Sequence, residues 1–231
     1  MDLCGEKRVP KNEEYEDDGT WVWVSMASES RMVLSHAIGK RNQMMAREIV
    51  AKTAKRLATI PLFVTDGLRF YASALLEQYG QWITHPPTGK RGRPRIDRLA
   101  PKEELKYAQV IKDRQEGRLI EVIKRAVFGR DIDTELISTS LIERLNLTLR
   151  QDNNRISRKT IGFSKKIEWL RRQMNLYFAN YNFCRGHRAL QQSNNAGKIE
   201  ICTPAKYSGL VDHNFSLKEL LAIHCYKIST N

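Results

Sequence analysis

The sequence predicts a mixed α/β fold, and three observations carry that prediction. Two β-rich runs come first, Thr20-Trp21-Val22-Trp23-Val24-Ser25-Met26 and Arg31-Met32-Val33-Leu34-Ser35-His36-Ala37-Ile38. A short apolar run, Leu62-Phe63-Val64-Thr65, then stands between two stretches of helical spacing. From residue 135 the pattern is mostly helical. Strands followed by helix, strand and helix describe a sheet with helices packed on it, rather than a pure βαβ series.

The elements follow in chain order. Ala27-Ser28-Glu29-Ser30 is a short polar connection, so the first two runs read as an antiparallel hairpin ended by Gly39. Residues 43–57 place Met44, Ile49, Val50, Ala54 and Leu57 at helical spacing, closing on Lys55 and Arg56. After Pro61 comes the short strand signal, broken by Asp66-Gly67, and residues 68–79 read as a second helix ended by Gly80. Residues 85–104 read as a linker, rich in proline and carrying Lys90-Arg91-Gly92-Arg93-Pro94-Arg95. Arg93 and Arg95 suit a DNA minor groove, and a solvated loop is the equal alternative. Residues 105–129 read as a second hairpin, Leu105–Lys112 and Arg118–Phe128, turning at Gln115-Glu116-Gly117. Helices are expected over 136–149 and from about Ser164 to Tyr181, with two further starts at Thr203-Pro204 and at the capping box Ser216–Glu219.

Composition excludes several classes. At 231 residues, with 41% hydrophobic and 28% charged side chains, the chain can bury a core without disulfides or metals. The longest apolar runs fall far short of a membrane helix, and the first residues lack a signal peptide's apolar stretch, so a cytoplasmic location is expected. Cys4, Cys184, Cys202 and Cys225 form no CxxC pair and the five histidines no HxxxH, which argues against zinc. The net charge of +13 points to polyanionic partners. It is concentrated: residues 141–190 hold eleven Lys and Arg against Glu143, Asp152 and Glu168, whereas residues 1–20 are net acidic.

Two carboxylates stand out. Asp66 follows a short strand directly, where α/β folds keep chemistry, although an Asp there would also serve as a helix N-cap. On a helix, Glu143, Asn146 and Arg150 share one polar stripe, while Leu141, Leu145 and Leu149 share an apolar one. From spacing alone the polar stripe reads rather as an ordinary Glu–Arg surface face than as a metal site.

Three blocks together resemble a known family. They are Val64-Thr65-Asp66-Gly67 with Tyr71, then Ile142 to Arg150, then Ser157 to Lys165. In this order they are similar to the DDE transposases of small insertion sequences, specifically the insertion-sequence-one type. Tyr181-Asn182, His187 and Leu190 resemble the block that follows the family's catalytic helix, and Trp21–Val24 through Arg41 its second and third strands. The resemblance implies a ribonuclease-H-like mixed sheet flanked by helices, with a β-hairpin insertion before the last catalytic helix. It implies three carboxylates holding two Mg²⁺ ions (Mn²⁺ as substitute) for DNA strand cleavage and strand transfer in transposition.

Carried over, Asp66 is the second acid and Glu143 the third. The first falls on Asp2, in Met1-Asp2-Leu3-Cys4, where Leu3 stands in place of the family's Glu; Asp17 and Asp18 are rivals in the wrong place. The expected phosphate contacts are Arg144, Asn146, Arg150, Arg155, Arg158, Lys159, Lys165 and Lys166. The chain is expected to divide into 1–84 as the first part of the core, 85–134 as linker and hairpin insertion, 135–190 as core helices with the basic tract, and 191–231 as a helical tail. It reads as an N-terminally truncated catalytic domain acting on DNA as a homo-oligomer at the nucleoid, with a separate DNA-recognition segment. The alternative is a catalytically inactive, DNA-binding remnant.

Overall fold

The computed structural model describes residues 19–85, 96–157, 160–193 and 197–223. The chain opens with β1 (Trp21–Met26) and β2 (Val33–Gly39), an antiparallel hairpin that pairs Val22 with Ile38 and Trp23 with Ala37. Helix α1 (Gln43–Ala54) starts at Asn42, whose side chain accepts from the Met45 amide. Strand β3 (Phe63–Asp66) follows, then α2 (Phe70–Tyr79).

Gly80 ends α2 and opens β4 (Gly80–Ile83), which pairs antiparallel with β5 (Arg98–Pro101). A Cβ at Gly80 would collide with the Leu76 carbonyl oxygen, so only glycine lets the chain leave the helix at this angle. Strand β5 lies in the stretch expected as linker. It is four residues long, ends on Pro101 between the polar Asp97 and Lys102, and is too short to announce itself; pairing with β4 creates it.

Strands β6 (Tyr107–Gln115) and β7 (Arg118–Phe128) form the second hairpin. Its two-residue loop, Glu116-Gly117, has positive φ at both positions (51° and 82°), the type I′ turn that matches strand twist. The hairpin was expected as an insertion. It is tied into the sheet, because β6 pairs parallel with β3 from Phe63–Tyr107 to Asp66–Val110. The strand order is β3-β6-β7, separate among the described residues from the β1–β2 pair. The β3-β6-β7 sheet is mixed, as expected, with one parallel and one antiparallel pair.

The helical half holds α3 (Ser140–Asp152), a 3₁₀ turn at Asn154–Ile156, and α4 (Ile167–Phe183). Helix α3 begins four residues later than its apolar spacing suggested. Leu136 is exposed, and Ile137 packs instead against Ala108 and Val110 of β6. The chain closes with a small hairpin, β8 (Gln191–Ser193) and β9 (Ile199–Ile201), then α5 (Pro204–Tyr207) and α6 (Leu217–Ala222). Thr203 caps α5, and Ser216 and Glu219 form the capping box of α6, both as the sequence indicates.

Strand alternation divides the core into two layers. Trp21, Trp23 and Ala37 face α1 and α2, packing with Met45, Ala46, Ile49 and Leu75. Val22 and Ile38 face the other way, onto Leu145 and Leu149 of α3 and Leu170, Met174 and Phe178 of α4. The β1–β2 pair is thus sandwiched between two helical layers. Both tryptophans are core residues.

Candidate active site and its basic flank

Asp66 ends β3 with its side chain exposed, because the chain turns at Gly67 towards α2. One carboxylate oxygen, Oδ1, accepts from the Leu68 amide at 3.2 Å and holds that turn. It is not the helix cap: α2 begins at Phe70, and its N-cap residue, Arg69, makes no side-chain capping bond. Its charge is felt nearby. Burial first, and then the Asp66 charge, push the Tyr71 hydroxyl far above its ordinary range. Burial and Asp66 also raise Tyr107, against opposing hydrogen bonds from Thr65 and Gln109. Tyr107 is fully buried between Thr65, at 2.9 Å, and Gln109, at 2.8 Å. That network fixes β3 against β6 one residue short of the carboxylate.

Glu143 stands in the first turn of α3, where an acid also complements the helix dipole. Thr139, one turn earlier, donates to Oε1 at 2.7 Å. Lys112 Nζ lies 2.5 Å from both carboxylate oxygens. Partial burial pushes the Glu143 carboxyl up, but the bonds from Lys112 and Thr139 and the charges of Lys112 and Arg114 outweigh it, leaving it below the ordinary glutamate value. In the parallel register Asp66 lies beside Val110, so Lys112, two residues further along β6, is on the same face as Asp66.

Asp66 and Glu143 open on one cavity of about 960 Å³. Its walls are β1 on one side and β3 on the other, with Thr139, Ile142 and Asn146 of the α3 end closing it. Glu143 also borders a second, shallow concavity of about 570 Å³ on the outer face of α3, shared with Ser140, Arg144, Asn146, Leu147 and Arg150. The polar stripe read from the sequence is therefore one surface, with Glu143 at the junction of the two hollows.

The remaining expected residues separate. Arg144 is exposed, and Arg150 Nε donates to the Asn146 carbonyl at 3.2 Å. Arg155 reaches Ser164 Oγ at 3.2 Å, across the loop before α4, and Lys165 and Lys166 are exposed at the end of that loop. Asp2, Asp17, Asp18, Arg93, Arg95, Arg158 and Lys159 lie outside the described residues. Lys112 and Thr139 are what sequence reasoning missed. Thr139 had a signal, its i, i+4 spacing to Glu143; Lys112 had none, since only the β3–β6 pairing brings its strand to the carboxylates.

The Tyr181–Leu190 block is structural. Asn182 uses both ends of its amide on the backbone of Val33, accepting from the N–H and donating to the carbonyl, each at 2.9 Å. It extends the ladder at the start of β2 as another strand would. Tyr181 is buried with the His187 ring against it, centroids 4.6 Å apart. Leu190 is buried too. At the other end of α3, Asp152 accepts from Tyr177 at 2.8 Å and pairs with Arg185, which clamps α3 to α4.

Residues 118–184, from β7 through α4, match the family model of the IS1 transposase. This segment is of the IS1 transposase type. It holds Glu143, the stripe below it and the basic loop before α4; Asp66 and Lys112 lie upstream of it. No curated protein and no solved structure matches the chain. The net charge of +13 is in keeping with a polyanionic partner. Among the described residues no helix is long and apolar enough to cross a membrane.

Proposed function

We propose that the chain is a transposase catalytic domain that cleaves DNA strands and joins them to a target, with Asp66 and Glu143 as two of its acids. The observation that carries this reading is their shared cavity. Two carboxylates far apart in sequence, each inside a separate block resembling the family, converge on one hollow beside the basic face of α3. In this reading Asp2 is the remaining acid, and the arrangement is a variant of the ribonuclease-H-like core.

The donor set suits a hard divalent cation. Asp66 and Glu143 offer carboxylate oxygens only, and among the described residues neither His nor Cys lines the cavity. Lys112 already places a positive charge across both Glu143 oxygens. Among the described residues no group of three or more ligand-type side chains gathers. Mg²⁺ held by Asp2, Asp66 and Glu143 would activate the attacking hydroxyl and stabilise the leaving oxygen.

The chain's own residues do the rest. Thr139 and Lys112 keep Glu143 ionised and orient it. The Tyr107 network and the Leu68 amide fix Asp66 at its strand end. Arg144, Arg150, Arg155, Lys165 and Lys166 supply phosphate contacts that position DNA without reading its sequence. The test is metal-dependent cleavage of DNA carrying the element's inverted repeats, wild type beside Asp66→Asn and Glu143→Gln. Loss of cleavage in both variants with DNA binding retained supports the reading. Salt-sensitive binding without cleavage by the wild type overturns it in favour of an inactive DNA-binding domain.

A further inference from the structure

Strand β7 ends its sheet. In the order β3-β6-β7, no described strand pairs with its outer edge. It is eleven residues long and exposed over its first nine. Leu119, Ile120, Val122 and Ile123 are each more than 40% accessible. Soluble proteins guard such an edge with charge, proline or a covering element, because its free N–H and C=O groups pair readily with another strand. Here the edge carries four large apolar side chains interspersed with Arg118, Glu121, Lys124 and Arg125.

The register with β6 shifts at both ends of β7, and the stretch between the shifts, Glu121–Ala126, is regular. In this stretch Glu121, Ile123 and Arg125 share one face, and Val122 and Lys124 the other. Two copies joined edge to edge about a twofold axis pair residues of equal parity. Centred on Glu121, Lys124 or Arg125, that pairing sets like charges directly across the ladder. Centred on Val122, it sets Glu121 against Ile123. Centred on Ile123, it sets Glu121 of each copy opposite Arg125 of the other, with the two isoleucines in contact at the axis. Arg125 spends one nitrogen on Gln109, at 2.6 Å, and a guanidinium has five N–H donors.

We propose that β7 is a self-association surface, through which two copies join antiparallel about Ile123 into a six-stranded sheet. The self-complementary charge of the Glu121–Arg125 stretch selects the second copy over an unrelated strand.

The test is sedimentation velocity of the full chain over a wide concentration range, with disulfide trapping as a second arm. A reversible dimer is expected. Glu121→Arg should weaken it at least tenfold, with the far-ultraviolet circular dichroism unchanged, and Glu121→Arg with Arg125→Glu should restore it. Under mild oxidation Ile123→Cys should form a covalent dimer that Val122→Cys, set opposite Lys124, does not. A chain that stays monomeric at every concentration overturns the proposal. So does a dimer indifferent to Glu121→Arg, or equal trapping at 122 and 123. None of these outcomes depends on cleavage activity, so the transposase reading stands or falls separately.

Discussion

The Asp66–Glu143 site and the Tyr181–Leu190 block are both dense in polar residues and both resemble family motifs, yet they do opposite work. At the site, the carboxylates are exposed on a cavity, and Asp66 has one oxygen bonded to a backbone amide while Glu143, itself about half exposed, is held by Lys112. In the block, Asn182 has both amide ends committed to one residue's backbone, Tyr181 is buried, and His187 lies against it. Polar groups buried within the packed layers hold the fold; those exposed on a hollow are available to a ligand even when a neighbour already touches them. The comparison teaches that a motif names residues, while exposure on a hollow says which of them can act.

Substitutions that break the comparison should do so in opposite currencies. The largest effect is expected at the site. Asp66→Asn and Glu143→Gln should each lower DNA cleavage by roughly 10³-fold or more, while the unfolding free energy moves by about 0.5 kcal/mol or less, as for exposed positions. Cleavage kinetics beside urea titration decide this, and a matching loss of stability would erase the distinction.

Asn182→Leu should show the converse. It leaves the Val33 N–H and C=O without partners, at a cost of about 1–3 kcal/mol in urea unfolding. Cleavage per folded molecule should be unchanged.

A smaller effect is expected from pH. Burial, with nearby cations, holds His36 and His187 below the ordinary histidine value, Lys52 acting on the first and Arg185 on the second. A depressed histidine pKa means the unfolded chain takes up protons first, so stability rises with pH through that window and falls on acidification below about pH 6.5. The thermal midpoint, followed from pH 7.5 down to pH 5.5, should drop, and the slope should flatten in His36→Gln with His187→Gln.

The smallest effect sharpens the site itself. Lys112→Met removes the cation from Glu143, so its carboxyl should titrate at higher pH than in the wild type, with little change in stability. Nuclear magnetic resonance of the labelled glutamate carbon reads this directly; an unmoved titration would show that Thr139 and Arg114 suffice.

Local pattern was enough for the elements whose cause is local. The β1–β2 hairpin, the Glu116-Gly117 turn, the caps at Thr203 and Ser216 and the alternation that buries Trp21 and Trp23 all follow from residue type and period. The polar stripe of α3 was legible for the same reason, since a helix fixes which residues share a face. Pairing between distant segments was not legible. Strand β5 exists because β4 lies beside it, α3 starts late because Ile137 is claimed by β6, and the second hairpin belongs to the sheet because β6 meets β3.

The sequence by itself determined the acids, the basic tract and most element types, because these are properties of composition and short-range spacing. Tertiary structure alone decided that Asp66 and Glu143 share a cavity, that Lys112 rather than a helix arginine neutralises Glu143, and that Asn182 acts as a strand substitute beside Val33. Each of these contacts joins residues at least thirty-one positions apart. No local energy term fixes such a distance; only the packing of the two helical layers around the sheet does.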